Sequence, residues 1–214
     1  MESCCQTKAR ELDALRERQS TVLWVVLGIN ALMFGVEFVV GWLAQSVALQ
    51  ADSLDMLGDT LVYGFSLFAL LRSDGWKASA ALLKGVIMAA FGLGVLGEAI
   101  YKLLYGGAPE AVLMGGTALL AFAANAVCLV LLTRHRNDDL NMRSTWLCSR
   151  NDILANGGVL LAAAGVYVTT SKVPDIVISL AITYLFLKSA WHVLREAHAE
   201  LRKKNGTAPS GATL

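Results

Sequence analysis

Three aspartates, Asp52, Asp55 and Asp59, stand three and four residues apart in a stretch that is otherwise largely apolar. At 3.6 residues per turn, that spacing puts all three on one helical face. Cys148 and Asp152 lie one turn apart further along the chain. The interval from Asp55 to Cys148 equals the interval from Asp59 to Asp152. A charged group inside a membrane-spanning helix costs several kcal/mol on insertion scales, so such residues read first as functional. Like charges on one apolar face repel unless protons or a cation are shared among them. Three carboxylates and a thiolate form an anionic four-ligand set suited to a tetrahedral divalent transition metal. Mg²⁺ and Ca²⁺ want more oxygens in larger or octahedral shells. Thiolate softness favours Zn²⁺ and Cd²⁺, with Co²⁺ and Fe²⁺ behind. Cys148 also reads as a small apolar packing residue. In that case Asn151, Asp52 or a water completes the shell. A metal displaces protons from its ligands, which makes Asp55, Asp59 and Asp152 the candidates for proton coupling as well.

The elements that must position these residues follow from composition. The 214 residues are 56% hydrophobic and only 16% charged. A soluble domain carries about 25% charged residues, so this chain is expected to lie in a bilayer. Six stretches have the length of an α-helical span, at about 21–43, 47–71, 78–101, 110–132, 143–170 and 174–195. The expected fold class is an all-α polytopic membrane protein with six transmembrane helices and short connections. The first span is too long for a cleavable signal peptide and follows a charged segment. Residues 1–20 read as a cytoplasmic arm, 21–195 as the transport domain, and 196–214 as a short, partly disordered tail.

Lysine and arginine placement orients the spans. Lys8, Arg10, Arg16 and Arg18 precede span 1, and Arg72 and Lys77 follow span 2. Arg134, Arg136, Arg143 and Arg150 lie between spans 4 and 5, and Arg195, Arg202, Lys203 and Lys204 follow span 6. The opposite loops offer only Lys102 and Lys172. Both termini are therefore expected in the cytoplasm. Lys84 and Lys188, inside spans near the basic side, are expected to snorkel to it. A net charge of +1 gives no sign of a nucleic-acid partner. None of the four cysteines sits on the outer side, so no disulfide framework is expected.

With a cytoplasmic N-terminus, span 2 runs inward and span 5 outward. The Asp55–Asp59 and Cys148–Asp152 pairs then occupy corresponding places in two inverted three-helix halves, as in a transporter with a midplane site. Other polar residues have plainer readings. Glu98 suits an i,i+4 pair with Lys102. Glu37 and Asn30 on span 1 line a pathway or pair with a neighbouring helix. His192 and His198 share no helical face and read as ordinary residues. Cys4 and Cys5 could capture a soft ion before entry, or be thiols without a role. Gly85, Gly92 and Gly94 permit close helix packing.

The stretch Ser46-Val-Ala-Leu-Gln-Ala-Asp-Ser-Leu-Asp-Met-Leu-Gly-Asp59 resembles the second span of the cation diffusion facilitator (cation efflux) family. The stretch Asp139-Leu-Asn-Met-Arg-Ser-Thr-Trp-Leu-Cys-Ser-Arg-Asn-Asp152 is similar to that family's fifth-span motif. The resemblance covers about residues 20–200. It implies that Asp55, Asp59, Cys148 and Asp152 are transport-site ligands and that the activity is export of divalent metal in exchange for protons. It also implies a homodimer, here through membrane helices, in a bacterial inner membrane. Asp55 and Cys148 each stand where many members have His. No C-terminal metal-sensing domain is expected after span 6. No resident cofactor is expected, because the metal is cargo. Two other classes compete: a metal-binding adaptor or passive channel, and an intramembrane aspartyl protease using Asp59 and Asp152 as a dyad. The protease reading lacks the fuller Gly-x-Gly-Asp context, since only Gly58 precedes Asp59.

Overall fold

The computed structural model describes residues 4–69, 74–134 and 140–206, with side chains described for 21–61, 63–64, 82–134, 146 and 149–199. Six helices follow one another: α1 (Cys4–Leu43), α2 (Val47–Ala69), α3 (Asp74–Tyr105), α4 (Ala111–Thr133), α5 (Leu140–Thr169) and α6 (Val173–Gly206). There is no strand among the described residues. Among the described residues, five segments are long and apolar enough to cross a membrane: Thr21–Leu43, Leu82–Tyr105, Ala111–Thr133, Ser149–Thr169 and Val173–Ala199. The sixth helix, α2, has 23 residues and spans about 35 Å at 1.5 Å per residue. Several helices overrun the expected spans. The arm is continuous with α1, and α6 runs to Gly206; the rest of the tail, 207–214, lies outside the described residues. Alanine, leucine, glutamate, lysine and arginine dominate both extensions, and these are strong helix formers.

α2 is the enclosed helix. Val47, Ala48, Leu49, Ala51 and Leu54 are fully buried, packed with residues of α3, α4, α5 and α6. The other five helices turn large apolar side chains outward, among them Trp24, Leu93, Leu119, Leu161 and Leu185. Among the described residues α2 turns out none. A helix carrying three aspartates is thereby kept from lipid, where they would be most costly. The pairings show the inverted correspondence of the two halves. α1 packs along α2 as α4 packs along α5, and α2 meets α3 as α5 meets α6.

The α1–α2 connection is tight. Ser46 N–H donates to the Gly41 carbonyl (2.8 Å) and Gln45 N–H to the Trp42 carbonyl (3.2 Å), closing a Schellman turn. Gln45 takes the left-handed conformation there, at φ 55°. Gly41 leaves no room for a side chain, since a Cβ would lie 2.9 Å from Gln50 Cγ and 3.0 Å from its backbone nitrogen. Ser46 Oγ then caps α2 by accepting from Leu49 N–H (3.1 Å). The remaining cap comes from a distant residue. Asp175, in the first turn of α6, accepts from Ser46 Oγ–H (2.6 Å), Val47 N–H (2.9 Å) and Ala48 N–H (3.1 Å). A carboxylate at this end also complements the α2 dipole. On the same side of the bundle, Lys172 Nζ donates to the Lys102 (3.0 Å) and Gly106 (2.8 Å) carbonyls at the end of α3.

Gly85 and Gly92 place α3 against α6 within the chain. A Cβ at Gly92 would lie 2.6 Å from Leu187 Cδ2, and one at Gly85 would lie 2.8 Å from Leu194. Gly94 faces open space.

Candidate functional site

α2, α3, α5 and α6 line a half-open cavity of about 630 Å³. Its polar lining comprises Asp55 and Asp59 from α2, Lys84 from α3, Asn151 and Asp152 from α5, and Ser189 from α6. The apolar wall includes Met88, Leu154, Ile178, Ile182, Leu185 and Phe186. Three of the acids singled out by spacing therefore share one chamber. Asp59 and Asp152 line it from opposite helices, α2 and α5, within electrostatic reach of each other. Asp59 accepts from Tyr63 Oη–H at 2.6 Å, one turn along α2. Gly58 keeps the wall low, with a Cβ there meeting Phe186 at 3.4 Å.

Among the described residues no three His, Cys, Asp or Glu side chains close around a point that could hold a metal ion. Cys148 lies on α5 one turn before Asp152, but its side chain is outside the described residues. Cys4 and Cys5 begin α1, and their side chains are likewise outside them.

The accessory candidates separate. Asn151 lines the cavity. Asp52 does not; it is fully buried and accepts from Asn156 Nδ2 at 3.4 Å. Asn156 also donates to the Asp152 backbone carbonyl (2.9 Å), so it joins α5 to the α2 acid row. Glu37 is fully buried on α1, within electrostatic reach of Asp52 and Asp55, and neither carboxyl oxygen has a hydrogen-bond partner. Asn30 lies elsewhere, donating to the Val26 carbonyl (2.9 Å) beside Cys128. Cys128 is a buried free thiol.

Spacing alone overlooked Tyr63 and Asn156, although each stands four residues after a candidate acid. Lys84, expected to snorkel toward the basic side, is half-buried and lines the same cavity as the acids. Glu98 pairs with Lys102 at 3.0 Å as expected, and also accepts from Gln50 Nε2 at 3.0 Å. His192 makes an exposed contact with Glu196.

Residues 23–201 match the family described as the cation efflux transmembrane domain. The chain belongs to the cation efflux family. It is a multi-pass integral membrane protein. Curated relatives include the zinc transporter ZitB of Yersinia pestis, 28% identical over 211 residues, covering 87% of this chain and 64% of the relative. ZitB of Escherichia coli (strain K12) is 29% identical over 193 residues, covering 84% and 61%. A "cadmium, cobalt and zinc/H(+)-K(+) antiporter" of Bacillus velezensis is 25% identical over 178 residues, covering 76% and 56%. This cation efflux chain thus spans about three fifths of the length of the relatives it matches.

Proposed function

We propose that the protein is a secondary transporter of a bacterial inner membrane that moves divalent transition-metal cations out of the cytoplasm in exchange for protons. Zn²⁺ is the favoured cargo and Cd²⁺ the next, with Co²⁺ and Fe²⁺ behind. The observation that carries this reading is the chamber in which Asp55, Asp59 and Asp152 meet across α2 and α5. The names of the relatives, which mention zinc, cadmium, cobalt and H⁺, point the same way.

In the proposed cycle, the carboxylates and the Cys148 thiolate lose protons facing a near-neutral cytoplasm and take up the metal. Facing a more acidic exterior they regain protons, and the metal leaves. Rocking of the two three-helix halves alternates the access. Tyr63 steadies Asp59 for the task, and Asn156 steadies the Asp52 side of the row. The protein makes and breaks no covalent bond in this cycle and acts as a transporter, not an enzyme. Two copies are expected to associate through membrane helices.

The test is pH-driven Zn²⁺ or Cd²⁺ transport in proteoliposomes. Wild type should move metal against its gradient when the proton gradient is imposed, and Asp59→Ala and Asp152→Ala should abolish this. Intact transport in either variant would remove the site assignment. Metal flux indifferent to the proton gradient would favour a passive channel instead.

A further inference from the structure

A cation is already built into the chamber wall. Lys84 lines it together with Asp55, Asp59 and Asp152, and its ammonium interacts electrostatically with the Asp59 carboxylate. The side chain is half-buried, and its four-carbon stem ends in a compact, rotatable charge. Its depth is set by packing. Gly85 and Gly92 let α3 pack close against α6, and Lys84 and Met88, one turn apart on α3, both line the cavity.

A transport site must bind its cargo firmly enough to load and loosely enough to release. Three carboxylates and a thiolate in a partly apolar chamber would err toward retention. We propose that the Lys84 ammonium is a tethered competitor of the cargo: it occupies the acid side of the empty chamber, is pushed aside by the incoming divalent cation, and returns as that cation leaves. The proposal rests on the transport-site reading above and deepens it. A lysine acting in this way repels a divalent ion twice as strongly as a single charge, and at partly buried separations such repulsion is large. Its removal should therefore tighten binding and slow release.

The experiment uses the full chain, purified and reconstituted, with Cd²⁺ and Zn²⁺ as probes. Binding is titrated at a pH high enough that affinity no longer changes with pH, so that proton competition drops out. Lys84→Met should bind Cd²⁺ about tenfold tighter or more than wild type, while Lys84→Arg, which keeps the charge, stays within a few-fold. In flux assays Lys84→Met should lower both KM and maximal rate, a split that a merely structural role would not produce. Unchanged or weakened Cd²⁺ binding by a folded Lys84→Met protein, with wild type binding normally, overturns this inference and leaves the transport site standing. Absence of Cd²⁺ binding by wild type would remove the transport site and this inference with it.

Discussion

At the scale of single residues, the chamber was visible in the sequence wherever a charge was out of place. Asp55, Asp59 and Asp152 stood out because apolar helices rarely carry acids, and the one-turn spacing of Asp55 and Asp59 already implied a common face for that pair. Tyr63 and Asn156 gave a weaker signal, since a tyrosine or asparagine in a membrane helix is unremarkable until its partner is known. Tyr63 makes a 2.6 Å hydrogen bond to the Asp59 carboxylate, which lines the chamber with Asp152. Tyr63→Phe should cost about 1.5–3 kcal/mol of stability, the worth of a hydrogen bond to a charged group, and weaken Cd²⁺ binding. Thermal melts and titrations in the same detergent would show both effects, and an unchanged affinity would separate Tyr63 from the site. Cys148 is the other residue whose role a measurement can decide. If its thiolate is a ligand, Cys148→Ser should lose more affinity for Cd²⁺ than for Zn²⁺, because sulfur favours the softer ion. Equal losses, or none, would return Cys148 to the role of a packing residue.

At the scale of elements, the six helices were legible from length and hydropathy, but what holds α2 in place was not. Its N-terminal cap is supplied by Asp175, far along the chain, and no local pattern connects that residue to Ser46. The sequence did show an acid beside Pro174 in the first turn of a helix, which reads as an ordinary helix start. In the fold the same carboxylate serves the neighbouring helix. Asp175→Ala leaves two backbone amides and a hydroxyl of the α2 start without their acceptor. It should cost about 2–4 kcal/mol by the usual price of caps and buried unpaired donors. Ser46→Ala should cost about 1 kcal/mol. Because both act on one network, the double variant should lose less than the sum of the two; strict additivity in denaturant or thermal unfolding would argue that the two caps are independent. Packing between α3 and α6 gives a second element-scale test. Gly92→Val would drive a side chain into Leu187 and should destabilise by about 1–3 kcal/mol. The displaced α3 would carry Lys84 with it.

At the scale of the whole molecule, the cavity between α2, α3, α5 and α6 brings a polar chamber into the bundle, which no single helix shows by its own sequence. In the proposed cycle, access to that chamber and the exchange of metal for protons within it set the response to pH. Metal ligands must be deprotonated, so the loaded state holds fewer protons than the empty one. Apparent affinity for Cd²⁺ should then rise with pH while protons are being displaced, and level off once the ligands are free of them. The slope of log affinity against pH counts the protons released. Asp152→Asn removes one titrating carboxyl from the chamber, so the residual binding of this variant should show a shallower slope. Measured in unbuffered solution, wild type should release protons as Cd²⁺ is added, and Asp152→Asn fewer per ion bound. A flat affinity profile with no proton release would mean that the chamber binds metal without exchanging charge. The transport cycle would then need a driving force other than the proton gradient.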